Sequence, residues 1–264
     1  MEIKTNLFEP SAFRKIVQSK KNFSVLEYVR DISVSPEMAQ LEYYASEMNI
    51  RKRQLIIELE DKTGAYVQAG DMQLMIGDIE ATAKIKGVGD LMKKAVSSFV
   101  TDETLVKPHY TGDGILVMEP TFKHVILEDL EEWPDGIVIE DGSFLACDDD
   151  TEMELTSRKN ISSLLLGNEG LINSTIFGNG ILALESPIPR EEMIEVEIKD
   201  SILKIDGSMA VAWSPNLYFS VEKSMNTLVA SAISKEGFVN VYEGTGKVLI
   251  APVRRNKGIS VPNN

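Results

Sequence analysis

The chain is short of the residues from which active sites are most often assembled. It has one cysteine, Cys147, two histidines, His109 and His124, and two tryptophans among 264 residues. One cysteine cannot form an intrachain disulfide, and this usage fits a reducing, cytoplasmic setting. No apolar run approaches the ~20 residues of a membrane helix. The opening stretch MEIKTNLFEPSAFRKIVQSKK has no continuous apolar segment of the signal-peptide kind. G-x-S-x-G, G-x-x-x-x-G-K-[ST] and paired C-x-x-C are all absent.

Basic charge is also scarce. Lys and Arg number 27 against 41 Asp and Glu, a net charge of −14. Residues 1–60 carry nine of each sign, so the whole deficit lies beyond them. Between His124 and Ser157 there are twelve acids and no Lys or Arg. Such a surface repels phosphate backbones and anionic lipid, so neither nucleic-acid binding nor membrane insertion is expected.

What is present is ordinary globular material, with 43% hydrophobic and 26% charged residues. A chain of this length buries roughly three quarters of its unfolded surface. Its distinctive feature is periodic. GDGILVMEP, GNGILALESP and GTGKVLIAP begin at Gly112, Gly178 and Gly244, each 66 residues after the last. A fixed period of this kind marks an internal structural repeat.

About 36 residues before the last two pairs stand Asp141-Gly142 and Asp206-Gly207, and Gly64 lies 48 residues before Gly112. The repeats read as about 51–120, 121–187 and 188–253. Each runs glycine turn, strand, polar turn, strand, short helix, strand, Gly-x-Gly, strand.

The strands are read from alternation. In MIEVEIKDSILKIDG, Ile194, Val196 and Ile198 face one way and Glu195, Glu197 and Lys199 the other. Short helices are expected from Asp90, Asn160 and Ser224, each able to cap a helix start. A further helix is expected over 35–47, with Ser35 as N-cap, Pro36 in the first turn, and Met38, Leu41 and Ala45 on one face. RKRQLIIELED reads as the first core strand, residues 1–50 as an extension, and 254–264 as a polar tail.

A phosphate loop runs from a strand into a helix N-terminus. Here each Gly-x-Gly joins strand-like stretches, so Gly112, Gly114, Gly178, Gly180, Gly244 and Gly246 are expected to form hairpin turns or bulges, with Gly142 and Gly207 as further turns.

NEGLINSTIFGNGILALESP (168–187), KEGFVNVYEGTGKVLIAPV (235–253) and DGSFLACDDDTEMEL (141–155) resemble the bacterial members of the mitochondrial-biogenesis family, the altered-inheritance-of-mitochondria proteins number twenty-four. The similarity spans about residues 55–253. It implies a mainly β fold of three tandem antiparallel sandwich- or barrel-like units around a pseudo-threefold axis. Such units are of the double-stranded β-helix type seen in the tryptophan RNA-binding attenuation protein. It carries over no catalytic residue, and no Arg-rich presequence accompanies it here.

The chemical candidates are few. His109 and His124 flank the first glycine pair and could meet across a hairpin with Glu128 and Asp129, but they lack metal-ligand spacing and read as unrelated. Asp148, Asp149, Asp150 and Glu152 lack the order of a calcium loop and read as a solvated turn, as does the whole acidic stretch 148–154. The aspartates after Cys147 oppose a reactive thiolate there.

The basic clusters Arg51–Arg53 and Arg254–Lys257 do not recur with the period. They read as a solvated strand end and a tail, which argues against RNA recognition. Trp133, Trp213, Tyr110 and Tyr218 could wall a ligand site. The leading expectation is a non-catalytic scaffold or interaction protein with no cofactor, acting through protein partners or self-association. A small-molecule binding module comes second and a metal-dependent hydrolase third.

Overall fold

The computed structural model describes residues 4–82, 107–140, 142–157, 172–206, 209–223 and 238–252. Gly207, the three short helices expected from Asp90, Asn160 and Ser224, and the polar tail lie outside the described residues. The fold is mainly β and falls into two compact units, the first built from Met1–Asp129, Phe144–Thr151 and Asn179–Glu185. The second comprises Leu130–Ser143, Glu152–Gly178 and Ser186–Asn264.

The first unit begins with a hairpin, β1 (Arg14–Lys20) and β2 (Phe23–Tyr28), whose turn carries Lys21 at φ +50°. A helix, α1 (Ala39–Glu47), follows, then β3 (Arg53–Leu59), β4 (Gly64–Val67), β5 (Met72–Thr82), β6 (His109–Met118) and β7 (His124–Asp129). In the second unit, β8 (Ile137–Ile139) precedes β9 (Phe144–Asp148), which returns to the first. Next come β10 (Thr151–Ser157), β11 (Ile172–Gly178) and β12 (Ile181–Ser186). The last strands are β13 (Ile194–Asp206), β14 (Ala210–Trp213), β15 (Tyr218–Lys223) and β16 (Phe238–Ile250).

One sheet, nearly closed and barrel-like, runs β1-β2-β3-β6-β4-β9-β12-β7 with β5 also on β6. The other, a curled half-barrel, runs β10-β11-β8-β14-β16-β13 with β15 on β16.

The core of the first unit follows from the two-residue period of a strand. Leu55, Ile57 and Leu59 of β3 join Phe23, Val25, Leu116 and Met118 on one side, while Ile56 meets Leu26, Ile115 and Val117 on the other. β3 is therefore buried on both faces, as expected for its apolar run. β2 was not foreseen as a strand, yet Phe23 and Leu26 are fully buried. In the second unit Trp213, Tyr242, Val248 and Leu217 form the centre, and Val196 and Ile198 of β13 pack against them.

The helix differs from expectation. It starts at Ala39, because Pro36 and Met38 are taken up in a preceding turn whose bond runs from Met38 N to Ser35 O (3.0 Å). No side chain caps it, and none of its residues is buried.

Of the two alternatives expected, hairpin turn or bulge, the hairpin turn is corrected at four glycines, while the β13–β16 register does shift opposite Gly244 and Gly246, between Ile198 and Ser201. Gly112 and Gly114 lie inside β6, and Gly244 and Gly246 inside β16, where the chain continues as strand without a hairpin turn. β6 pairs with β5 along its whole length, from Thr82↔His109 to Met72↔Met118. On its other edge it pairs first with β4, through Thr111, and then with β3, from Gly114 onward.

β16 repeats this plan. It pairs with β13 throughout, and on its other edge with β15 up to Glu243 and with β14 from Val248. The glycines thus mark where one long strand passes from one neighbour to the next. In the middle copy the break is complete: β11 pairs with β8, β12 with β9, and Gly178 (φ +108°) and Gly180 (φ +122°) lie at the bend between. Gly142, at φ +73°, sits in the turn before β9.

A side chain is excluded for different reasons in the two long strands. A β-carbon on Gly112 would overlap the carbonyl oxygen of Asp78, and one on Gly114 that of Ile76. At Gly244 there is space, and only its φ of +123° resists substitution. Gly244→Ala is therefore expected to cost about 1 kcal/mol of backbone strain. Gly112→Ala combines strain (φ +141°) with a backbone collision and should cost clearly more. Chemical denaturation of both variants checks this, and equal losses would contradict it.

Candidate functional site

The residues of chemical interest in the first unit converge where the β9–β10 turn meets the starts of β4 and β6. Gly64 pairs with Thr111, and Tyr66 with both His109 and Cys147. Register alone therefore brings a histidine of β6 beside the aspartates that follow β9. His109 is buried and stacks on Tyr66, with ring centroids 4.5 Å apart and planes 23° from parallel. Its Nε2 lies 3.5 Å from Asp149 Oδ2, beyond ordinary hydrogen-bond length. Gly64 makes this approach possible, since a β-carbon there would come within 2.5 Å of Asp149 Oδ2 and 2.7 Å of His109 Nε2.

The acidic turn is built into the fold rather than fully solvated. Asp148 Oδ2 accepts from Ile181 N at 2.6 Å, Thr151 Oγ1 donates to Asp148 O at 2.6 Å, and Asp149 N donates to Gly64 O at 3.1 Å. Burial raises the Asp148 carboxyl above the ordinary range, against the Ile181 amide, which lowers it. Glu58 is also raised, by burial and by neighbouring Glu60. Asp150 is exposed, and so is Glu152 on β10. A cleft of about 560 Å³ opens here, lined by Lys21, Asn22, Glu58, Thr63, Asp148 and Asn179, among others. Among the described residues no group of three or more His, Cys, Asp or Glu is arranged to hold a metal ion.

The two histidines are not brought together. His109 opens β6, His124 opens β7 after that strand has ended, and β6 and β7 are not neighbours in the sheet. Glu128 is buried on β7, and Asp129 lies 3.9 Å from Lys21. Neither histidine joins a group of three or more potential metal ligands among the described residues.

Cys147 is fully buried, lies 3.0 Å from Thr151 Oγ1, and has its thiol pushed up to about 12, chiefly by burial. A thiol held there does not ionise at neutral pH.

The aromatic wall is not formed either. Trp133, Trp213 and Tyr110 are core residues, whereas Tyr218 is 65% exposed. Trp213 packs on Tyr242 at 5.6 Å, and Lys247 covers Trp133 at 4.1 Å.

The reading of Arg51–Arg53 as a solvated strand end is also corrected. Arg53 faces Glu27 across β2 and β3, and Glu27 bridges Arg53 (2.8 Å) and Arg51 (2.9 Å) in a buried cluster. Lys52 pairs with Asp31, whose carboxyl is held below its usual range by that ammonium. The partners lie more than twenty residues away in sequence, so only strand pairing reveals them. The cluster Arg254–Lys257 lies outside the described residues. No helix among the described residues is long and apolar enough to cross a membrane.

These features define a mainly β protein of two curled sheets whose reactive side chains are mostly absorbed into packing. The profile of the family described as mitochondrial biogenesis AIM24 matches residues 47–253, and the chain belongs to that family. It is similar to a Streptococcus pyogenes protein solved by X-ray crystallography, with 25% identity and a TM-score of 0.55, over 78% of this chain and 90% of that one. No curated protein matches.

Two predictions arise. Cys147 should resist a thiol reagent at pH 8 in the native protein and react stoichiometrically in denaturant; rapid native labelling would refute its burial. For Asp148 the folded pKa exceeds the unfolded one, so its contribution is full below the unfolded carboxylate pKa near ~4 and is lost as pH rises through the folded value. Asp148→Asn keeps an acceptor for Ile181 N and should melt higher than wild type at pH 7, with the curves converging in acid. A gain that grows in acid would contradict the raised pKa.

Proposed function

We propose that this chain is a non-catalytic β scaffold that works by binding protein, with the N-terminal segment as its contact surface. The observation that carries this is where apolar side chains meet water. Of the fifteen large exposed apolar residues among those described, seven fall between residues 32 and 50: Ile32, Met38, Leu41, Tyr43, Tyr44, Met48 and Ile50. Scattered exposed apolar residues are normal, but a concentration on one short segment marks a contact surface.

The fate of the reactive groups supports the same reading. The thiol is sealed, His109 opens one strand and His124 another that is not its neighbour in the sheet, and Arg51 and Arg53 serve a structural cluster. The single buried thiol also suits a reducing, cytoplasmic setting.

The test is a double variant, Leu41→Glu with Tyr44→Glu. Measured at nanomolar protein, where two copies are kept apart by dilution, it should abolish Nile red fluorescence enhancement while leaving stability within about 0.5 kcal/mol of wild type, as for ordinary surface positions. A loss of several kcal/mol would make these residues internal packing and overturn the reading.

A further inference from the structure

We infer that the apolar face of the N-terminal segment is the docking surface for a second copy of this chain, which rests on the contact-surface reading above. The first observation is a helix that its own unit does not stabilise. α1 is nine residues long, has no side-chain cap and no basic residue in its last turn, and buries nothing. Isolated helices shorter than about 12–15 residues are marginal in water.

What ties α1 down is polar. Ser46 Oγ donates to Val29 O at 2.9 Å, Arg51 Nε to Ser46 O at 3.1 Å, and the Arg53 guanidinium to Asn49 O at 3.1 Å. These bonds orient the helix but take no apolar surface out of water. Leu41, Tyr44 and Met48 follow one another at helical spacing on one stripe, 62%, 59% and 76% exposed. Beside them a groove of about 420 Å³ is lined by Ile32, Tyr43, Ile50 and Phe122, and also by the charged Arg30, Glu42 and Glu47.

The occupant is argued from charge. Each copy carries −14, and all of it lies beyond residue 60. Two copies approaching through most of their surface repel one another. The stretch 32–50 carries Glu37, Glu42 and Glu47 and no Lys or Arg, but the groove beside it balances Arg30, Arg51 and Lys52 against Asp31, Glu42 and Glu47, so two copies can meet there with little of that penalty, and this is also where the apolar residues are exposed. The groove is self-complementary in charge, because a two-fold contact can set Arg30 of each copy against Glu42 or Glu47 of the other. The stripe of one helix then enters the groove of its partner, a helix-in-groove contact made twice.

Native mass spectrometry and light scattering on the full chain test this. Wild type should have twice the chain mass at micromolar concentration, and Leu41→Glu with Met48→Glu should have the mass of one chain at unchanged circular dichroism. Met48→Cys provides a second readout that does not depend on that variant folding. It is the one accessible thiol beside the sealed Cys147, and a bis-maleimide should link two copies through it, whereas Lys199→Cys should give none.

A monomeric wild type would overturn the inference, as would a dimer that survives the double variant with no link through Met48→Cys. A monomer that sediments with phosphatidylcholine vesicles would assign the face to a lipid surface and overturn it too. The contact-surface reading is decided separately, by dye binding and stability, so the two can fail independently.

Discussion

The architecture depends on a long strand being able to serve two neighbours in succession. β6 and β16 each keep one partner along their whole length and exchange the other partway. A strand that does this must bend while its ladder on the other edge stays intact. At these positions a side chain has no room, since a β-carbon on Gly112 would meet the Asp78 carbonyl and one on Gly114 that of Ile76. Glycine suits such a place because it has no β-carbon to collide and no preference against positive φ. The bend also explains how a modest chain curls its sheets without many separate short strands, since strands that switch partners make the corners of sandwiches and barrels.

The N-terminal segment is joined to this framework differently. β2 adds to β3 by ordinary pairing and brings Phe23 and Leu26 into the core. Glu27, opposite Arg53, then gathers two guanidinium groups, and Arg53 reaches on to Asn49 at the end of α1. Breaking one partner of such a buried cluster leaves an uncompensated charge, which is why these contacts are usually costly to lose even when they add little net stability. The cluster fixes where the helix sits, and it leaves the apolar face of the helix uncovered.

Much of this was legible in the sequence, and the failures share one physical cause. Local alternation identified β13, β14 and β15, and the 66-residue period found the three places where strands change neighbours. The glycines were open to reading as hairpin turns or bulges because a strand that runs on through a bulge and a strand that turns have the same local signature; only the partner's register separates them. Arg51–Arg53 looked solvated because Glu27 and Asp31 are distant in sequence. β1 and β2 were missed because their turn uses Lys21 at positive φ, where glycine or asparagine would have announced it. The placement of His109 beside Asp149 was equally unreadable, since it follows from β4 lying between β6 and β9 and from Gly64 leaving the space.

The same long-range pairing accounts for the distribution of chemistry and surface. A sheet that wraps on itself draws the ends of distant strands together, and the polar residues there become the bonds that hold the turns: Asp148 on Ile181, Thr151 on Asp148, Asn22 on Glu58. Groups satisfied in this way are poor general acids or nucleophiles, because their protons and lone pairs are already committed. The helix lies outside that closure. It owes its position to three polar contacts and its apolar residues to no internal demand, so those side chains are the part of the first unit that folding leaves unexplained and that contact with another molecule would explain.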